Sequence, residues 1–259
     1  DADRLAVAVP GADGWRALTG NEIGCLLADW LLEHGDGPDR LVLTTVVSSR
    51  LLARIAAGYG LHFAETLTGF KWIVRPGFDH PDRRFVVGYE EALGYAVTPA
   101  VADKDGITAA LVFAEMVAAE KAAGRTVLHR LDDIAQAHGL HRSAQRSIRF
   151  AGAAPQDDMA AAMAGLRADP PAVVAGRTVE SFVDLLRPDT GWPPTDAIVL
   201  QLAPADRLVV RPSGTEPKLK IYAESVVGEP GPDLRAAEAE LAAAIADLLT
   251  RAPEDLGLA

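Results

Sequence analysis

RPSGTEPKLKIYAE, residues 211–224, packs an arginine, a serine, a glycine and a threonine into five positions, then a proline and a strand-like KLKIYAE. DRLVV (206–210), just before it, is apolar and β-branched, so the stretch reads as a strand, a tight loop and a second strand. AIVLQLA (197–203) adds another strand upstream, and PDLRAAEAELAAAIADLLTRA (232–252) a long final helix downstream. Together with a helix over APQDDMAAAMAGLRA (154–168), these grouped strands predict an α+β domain.

The first half has a different rhythm. DRLAVAV (3–9) reads as a strand and PGADGWRALTG as turn material. NEIGCLLADWLLEHG (21–35) has helical spacing and a glycine stop, and RLVLTTVV (40–47) is a buried strand. SSRLLARIAAGYG (48–60) is a helix with a candidate serine cap, followed by strands LHFAET (61–66) and RFVVGYEE (84–91) and a helix over 105–124. Alternating strands and helices predict βαβ units and a mixed or parallel sheet. The expected class is therefore α/β: a mixed-sheet α/β domain over 17–140, then the α+β domain over 141–259. The chain opens in a loop entering a strand and lacks an initiator methionine, so it reads as a piece of a longer chain.

Composition narrows the function classes. The 259 residues carry a formal net charge of −11, which argues against general nucleic-acid binding. No apolar run approaches the roughly 20 residues a membrane-spanning helix needs, and no secretory signal opens the chain. Cys25 is the single cysteine, so a disulfide framework is excluded and a reducing, cytoplasmic setting fits best.

Against that acidic background the 211–215 loop stands out. Arg211 can supply a bidentate fork, Ser213 and Thr215 hydroxyls, and Gly214 a sharp turn whose amides can form an anion nest. Lys220 adds charge two residues into the next strand. The competing reading is a hairpin whose Ser and Thr cap their own backbone; the preceding arginine and trailing basic strand favour anion binding.

Three weaker constellations accompany it. In DADR (1–4), Asp1 and Asp3 have the i, i+2 spacing with which carboxylates converge on a hard cation, although a solvated turn explains them as well. In GYEEALGY (88–95), Glu90 and Glu91 can accept hydrogen bonds from sugar hydroxyls or simply begin a helix. In LTGFKWI (67–73), Lys71 can reach into a cleft or lie on the surface with its stem on the neighbouring rings. The six histidines show no metal-ligand spacing.

In this order the pieces resemble the α-D-phosphohexomutase superfamily, whose members carry a phosphoserine loop, a DxDxDR metal loop, a GEExxG-like sugar loop and an RxSGTEP phosphate loop. DADR, GYEEALGY and RPSGTEP match the last three, the phosphate loop most specifically, and the resemblance runs along essentially the whole chain. It is similar to the second half of that architecture, which implies that residues 1–16 are the truncated end of the metal-binding domain and that a missing N-terminal half is expected as a partner. TGFKWI and GYEEALGY look closest to the branch with phosphopentomutase.

The resemblance implies that Asp1 and Asp3 are two of three Mg2+ ligands, that Arg4 faces the phosphoserine region, and that Lys71 contacts the phosphosugar. It implies that Glu90, with Glu91, holds sugar hydroxyls, while Arg211, Ser213, Gly214, Thr215 and Lys220 grip the phosphate that is not being transferred. Where many hexomutases have a serine after the glutamate pair, this chain has Ala92, and both the first metal-loop aspartate and the phosphoserine loop are absent. The implied activity of a complete chain is glucose or mannose 1-phosphate to 6-phosphate interconversion through a phosphoserine and a bisphosphate, this chain alone being inactive. Three alternatives remain: phosphopentomutase activity, a non-catalytic phosphosugar-binding module, and an unrelated phosphotransfer enzyme with an SGT turn.

Overall fold

The computed structural model describes residues 1–11, 14–80, 82–214 and 216–258. The chain divides into two compact units, residues 1–139 with 228–230, and residues 140–227 with 231–259.

In the first unit a hairpin of β1 (Ala8–Gly11) and β2 (Gly14–Ala17) precedes α1 (Gly20–Glu33), β3 (Arg40–Thr45), α2 (Leu51–Gly58), β4 (His62–Thr66), α3 (Phe70–Asp79), β5 (Arg84–Glu90), β6 (Gly94–Ala96), α4 (Gly106–Ala122) and α5 (Val127–His138). The main sheet has the order β4-β3-β5-β6, with β3 parallel to both β4 and β5, and β6 antiparallel to β5. This is the mixed-sheet α/β arrangement expected from the alternation. Every residue of β3 is buried, because helices cover both faces. Val42 packs into a core with α1, α2, α4 and α5, whereas Leu41 and Leu43 face Phe70 and Ile73 of α3. Helix α1 approaches β5 so closely that a Cβ on Gly24 would stand 2.3 Å from the Tyr89 ring.

Several sequence expectations shift. The strand expected over 3–9 shortens to β1, with only an isolated bridge at Arg4, and the expected turn after it is the β1–β2 hairpin. The candidate serine cap of α2 is not at its N-cap, which is Arg50; the Ser49 hydroxyl instead accepts the Leu51 amide. LTGFKWI runs into α3, a helix that Pro76 and Gly77 disguise. α5 carried no motif that announced it, although Thr126 caps its first turn through its hydroxyl.

The second unit is an antiparallel sheet, β7 (Leu140–Arg149), β8 (Val173–Val174), β9 (Arg177–Asp184), β10 (Ile198–Leu202), β11 (Asp206–Pro212) and β12 (Lys218–Val227), with α6 (Pro155–Ala168) and α7 (Leu234–Asp255). The strand order is β7-β12-β11-β10-β9-β8. Met159, Met163 and Leu166 of α6 and Ile245, Leu248 and Leu249 of α7 pack on Leu200, Leu208, Val210, Leu219 and Ile221. The helices therefore cover one face, and residues one position out of phase along β11 and β12 point to the other. LHRSAQRSIRF contains the ten-residue strand β7, whose alternating polar residues hid its period.

Candidate functional site

In the first unit the expected site residues gather where β3, β4 and β5 end. Three parallel strands deliver three loops to one edge, the edge at which open α/β sheets bind ligands. After β3, the Ser48 hydroxyl is 2.8 Å from that of Thr45 and accepts the Glu91 amide at 3.2 Å. It also lies 3.5 Å from the Glu91 carboxylate. After β4, the Gly69 amide, at the N-terminus of α3, donates to Glu90 Oε1 at 2.7 Å. Glu90 thus spends one oxygen on an amide that a helix start leaves unpaired. Beneath the pair, Gly20 at the start of α1 lies so close that a Cβ there would meet the Glu91 carbonyl oxygen at 2.1 Å. Glu91 is therefore seated on backbone.

Ser48 was not among the residues expected from sequence. The signal was there in TTVVSSR (44–50), hydroxyls placed directly after a fully buried strand.

Lys71 lies in the first turn of α3 with its ammonium 5.6 Å from the Trp72 ring centroid. The ammonium thus keeps company with one of the neighbouring rings. Arg4 donates to the Ala92 carbonyl at 3.0 Å, Leu5 donates to that of Leu93 at 3.1 Å, and Gly106 donates to that of Ala2 at 3.0 Å. The Asp1–Arg4 segment is thus held between the β5–β6 turn and the start of α4. Asp3 pairs with Lys104 at 3.1 Å, and this hydrogen bond holds its carboxyl below the usual value.

Among the described residues no group of three or more His, Cys, Asp or Glu side chains is arranged to hold a metal ion. Asp1 and Asp3 are oxygen donors of the kind a hard cation takes, so they fit Mg2+ in type but supply only two ligands.

In the second unit the RPSG loop leaves β11 and returns as β12. Arg211 pairs across the strands with Lys220, and Lys220 with Ser147 of β7, so the three share the face away from the helices. One register step along, Lys218 sits opposite Arg149. These are two like-charged cross-strand pairs, an arrangement that ordinarily destabilises a sheet. The outer pair is neutralised: Glu216 takes an ion pair from Lys218 and lies 3.5 Å from Arg149. Lys218 is the main cause holding the Glu216 carboxyl below its usual value. The inner pair is not matched in this way. Lys220 leans toward Tyr222, 5.8 Å from its ring, and among the described residues the Arg211 side chain has no hydrogen-bond or ion-pair partner.

The Ser213 amide donates to the Lys218 carbonyl at 2.8 Å, so this amide belongs to the hairpin and not to an anion nest. Its hydroxyl is the group left to a ligand. Gly214 lies outside the left-handed region, and among the described residues a Cβ there would meet nothing within 4 Å. Its contribution is open space above the loop and not an unusual turn. Thr215 lies outside the described residues.

With this geometry in hand, comparison with known proteins is decisive. Residues 19–138 match the family model for phosphoglucomutase/phosphomannomutase alpha/beta/alpha domain III, and residues 148–248 match that family's C-terminal domain. The chain belongs to the phosphoglucomutase/phosphomannomutase family. Within this family it is 41% identical over 227 residues to a protein of Haemophilus influenzae named "Probable phosphomannomutase", covering 87% of this chain and 44% of that protein. It is 32% identical over 251 residues to human phosphopentomutase, covering 86% of this chain and 40% of the relative. Among solved structures, the phosphoglucomutase parafusin from Paramecium superposes with a TM-score of 0.69 at 19% identity, over 100% of this chain and 44% of that one. This member of the family thus spans less than half the length of these three relatives.

Among the described residues, no helix is long and apolar enough to cross a membrane.

Proposed function

We propose that this chain is the sugar- and phosphate-binding portion of a phosphosugar mutase. The complete protein would interconvert the 1- and 6-phosphates of glucose or mannose through a phosphoserine and a bisphosphate intermediate, the setting being cytoplasmic. The observation that carries the reading is the Arg211–Lys220 pair, which makes no ion pair among the described residues, beside Ser213 and the open space over Gly214. Two cations held opposite each other on a sheet favour a dianion between them, and a guanidinium fork suits the oxygens of a phosphate. The acidic remainder of the surface keeps that preference local.

In this reading Arg211, Ser213, Gly214, Thr215 and Lys220 hold the phosphate that does not react. They recognise charge and tetrahedral oxygens, as a site that accepts either phosphate in turn requires. Glu90 and Glu91 accept hydrogen bonds from sugar hydroxyls, Glu90 through the oxygen not committed to Gly69. Lys71 contacts the phosphosugar and Arg4 faces the reacting phosphate. Residues 1–16 are the end of a metal-binding domain. Asp1 and Asp3 supply two carboxylates to Mg2+, further ligands coming from outside these 259 residues. When bound, the ion neutralises charge on the transferring phosphoryl group.

A pentose reading has its own support in the 32% identity to human phosphopentomutase. Both readings are tested together. A protein spanning the full length of its relatives and containing this chain is assayed with glucose, mannose, ribose and deoxyribose 1-phosphates. Conversion of a hexose phosphate is the expected result, and preferential conversion of a pentose phosphate selects the second reading. Failure to convert any of the four, despite an intact serine loop, refutes both. The 259-residue chain alone is expected to bind phosphosugar and not to isomerise it.

A further inference from the structure

Lys104 belongs to none of the motifs above, yet it touches three of their segments. It lies between β6 and α4. Its ammonium is 3.1 Å from Asp3 Oδ2, 3.4 Å from Asp103 Oδ1 and 5.8 Å from the Phe70 ring centroid. Its Cδ is 2.9 Å from where a Cβ on Gly94 would stand, and Glu90 Oε2 is 3.5 Å from the same point. One side chain, 20% exposed, therefore reaches the Asp1–Arg4 segment, the start of α3 and the β5–β6 turn.

The backbone around this contact is costly to hold. Ala2 and Leu93 both adopt left-handed conformations, with φ of 58° and 68°, which residues with a Cβ avoid. Each contributes the carbonyl that accepts a bond from the other side of the seam, Ala2 from Gly106 and Leu93 from Leu5. Asp1–Arg4 is exposed or half-buried, so contacts across this seam are what hold it so arranged.

We infer that Lys104 is an internal counter-cation of Asp3, which fastens Asp1–Arg4 to the β5–β6 turn and competes with a divalent ion for the same carboxylate. The metal half of this inference rests on the role proposed for Asp3 above. An ammonium is a compact point charge on a flexible stem, able to leave one carboxylate for another. Asp103, already within 3.4 Å, offers the second seat when an ion takes the first. The glutamate turn and the metal-loop segment would then stay in register whether or not the ion is present.

The test is amide hydrogen exchange at Leu5 and Gly106 in the 259-residue chain, comparing wild type, Lys104→Met and Lys104→Arg with and without added Mg2+. Without metal, Lys104→Met should exchange roughly two- to five-fold faster at both amides, the scale of a partly exposed ion pair, and Lys104→Arg should stay near wild type. Mg2+ should restore protection in Lys104→Met at a lower concentration than that at which it acts on wild type. Equal exchange in wild type and Lys104→Met without metal overturns the fastening role. Equal Mg2+ midpoints overturn the competition while leaving the metal role of Asp3 intact. No response to Mg2+ in either protein overturns the competition, and leaves the metal role of Asp3 to a protein that also carries the remaining ligands.

Discussion

Replacing Arg211 with alanine separates an anion site from an ordinary hairpin, because the two predict opposite effects on stability. Arg211 stands directly across from Lys220, with no ion-pair partner among the described residues. Its removal relieves a like-charge cross-strand contact, an effect of about 0.2–1 kcal/mol in favour of the folded state. It also removes a charge-assisted contact to phosphate worth about 1.5–3 kcal/mol. At 1.4 kcal/mol per factor of ten, affinity for a sugar phosphate should fall roughly ten- to a hundred-fold. The assay is calorimetric titration of the 259-residue chain with glucose 6-phosphate, alongside thermal melts of both proteins without ligand. The expected pattern is weaker binding with an unchanged or slightly raised Tm, and a wild-type affinity that falls with added salt. A lowered Tm with unchanged affinity would refute the reasoning, since it would mean that the arginine serves the turn and not a ligand.

Two further predictions concern the first unit. Burial pushes the Glu120 carboxyl up, but hydrogen bonds from Arg125 and Arg130 outweigh this and leave it below its ordinary value. A carboxyl with a lower value folded than unfolded contributes stability above its unfolded value, and that contribution is lost as pH falls through the folded one. Denaturant melts between pH 6 and pH 3 should therefore show stability falling toward acid, with a shallower fall in Glu120→Gln. Gly20→Ala would drive a Cβ to 2.1 Å from the Glu91 carbonyl oxygen, where only backbone can yield. It should destabilise the chain by about 1–3 kcal/mol, read from urea melts, and weaken phosphosugar binding by moving the glutamate loop.

How much of this was legible in the sequence depended on whether the deciding contact was local. The β11–β12 hairpin was readable because the apolar, β-branched DRLVV and the alternating KLKI flank a loop of turn residues. β3 was readable because burial on both faces made it an unbroken apolar run. β7 was not, since its Leu-His-Arg-Ser alternation carries little hydrophobic contrast, and α3 was hidden by a proline within its span. In the candidate site, residue types announced Glu90, Glu91 and Arg211. Nothing local announced that Glu90 accepts the Gly69 amide, 21 positions away, or that Lys104 meets Asp3 across about a hundred residues. The first pairing is created by the parallel crossover, which brings loops distant in sequence to one sheet edge, and the second by the antiparallel bridge of Arg4 to Gly94.

The same topology explains why the glutamate loop can be both precise and chemically spare. A sugar contact of the kind proposed for this pair must hold carboxylate oxygens within a few tenths of an ångström, and loops alone position groups loosely. Here Glu91 is fixed from below by the Gly20 approach and from the side by Ser48, which takes its amide at 3.2 Å. Glu90 is fixed by the amide that opens α3, and Tyr89, the last buried residue of β5, is pressed against Gly24 of α1. The restraints on the pair thus come from backbone and from neighbours on β3, α1 and α3, and the one on Glu90 takes only its Oε1. An alanine at position 92 costs this arrangement none of those restraints. It follows that Ala92→Ser should leave the melting temperature unchanged to within the roughly 0.5 kcal/mol typical of surface substitutions, and that any change in preference between hexose and pentose phosphates would come from the added hydroxyl alone.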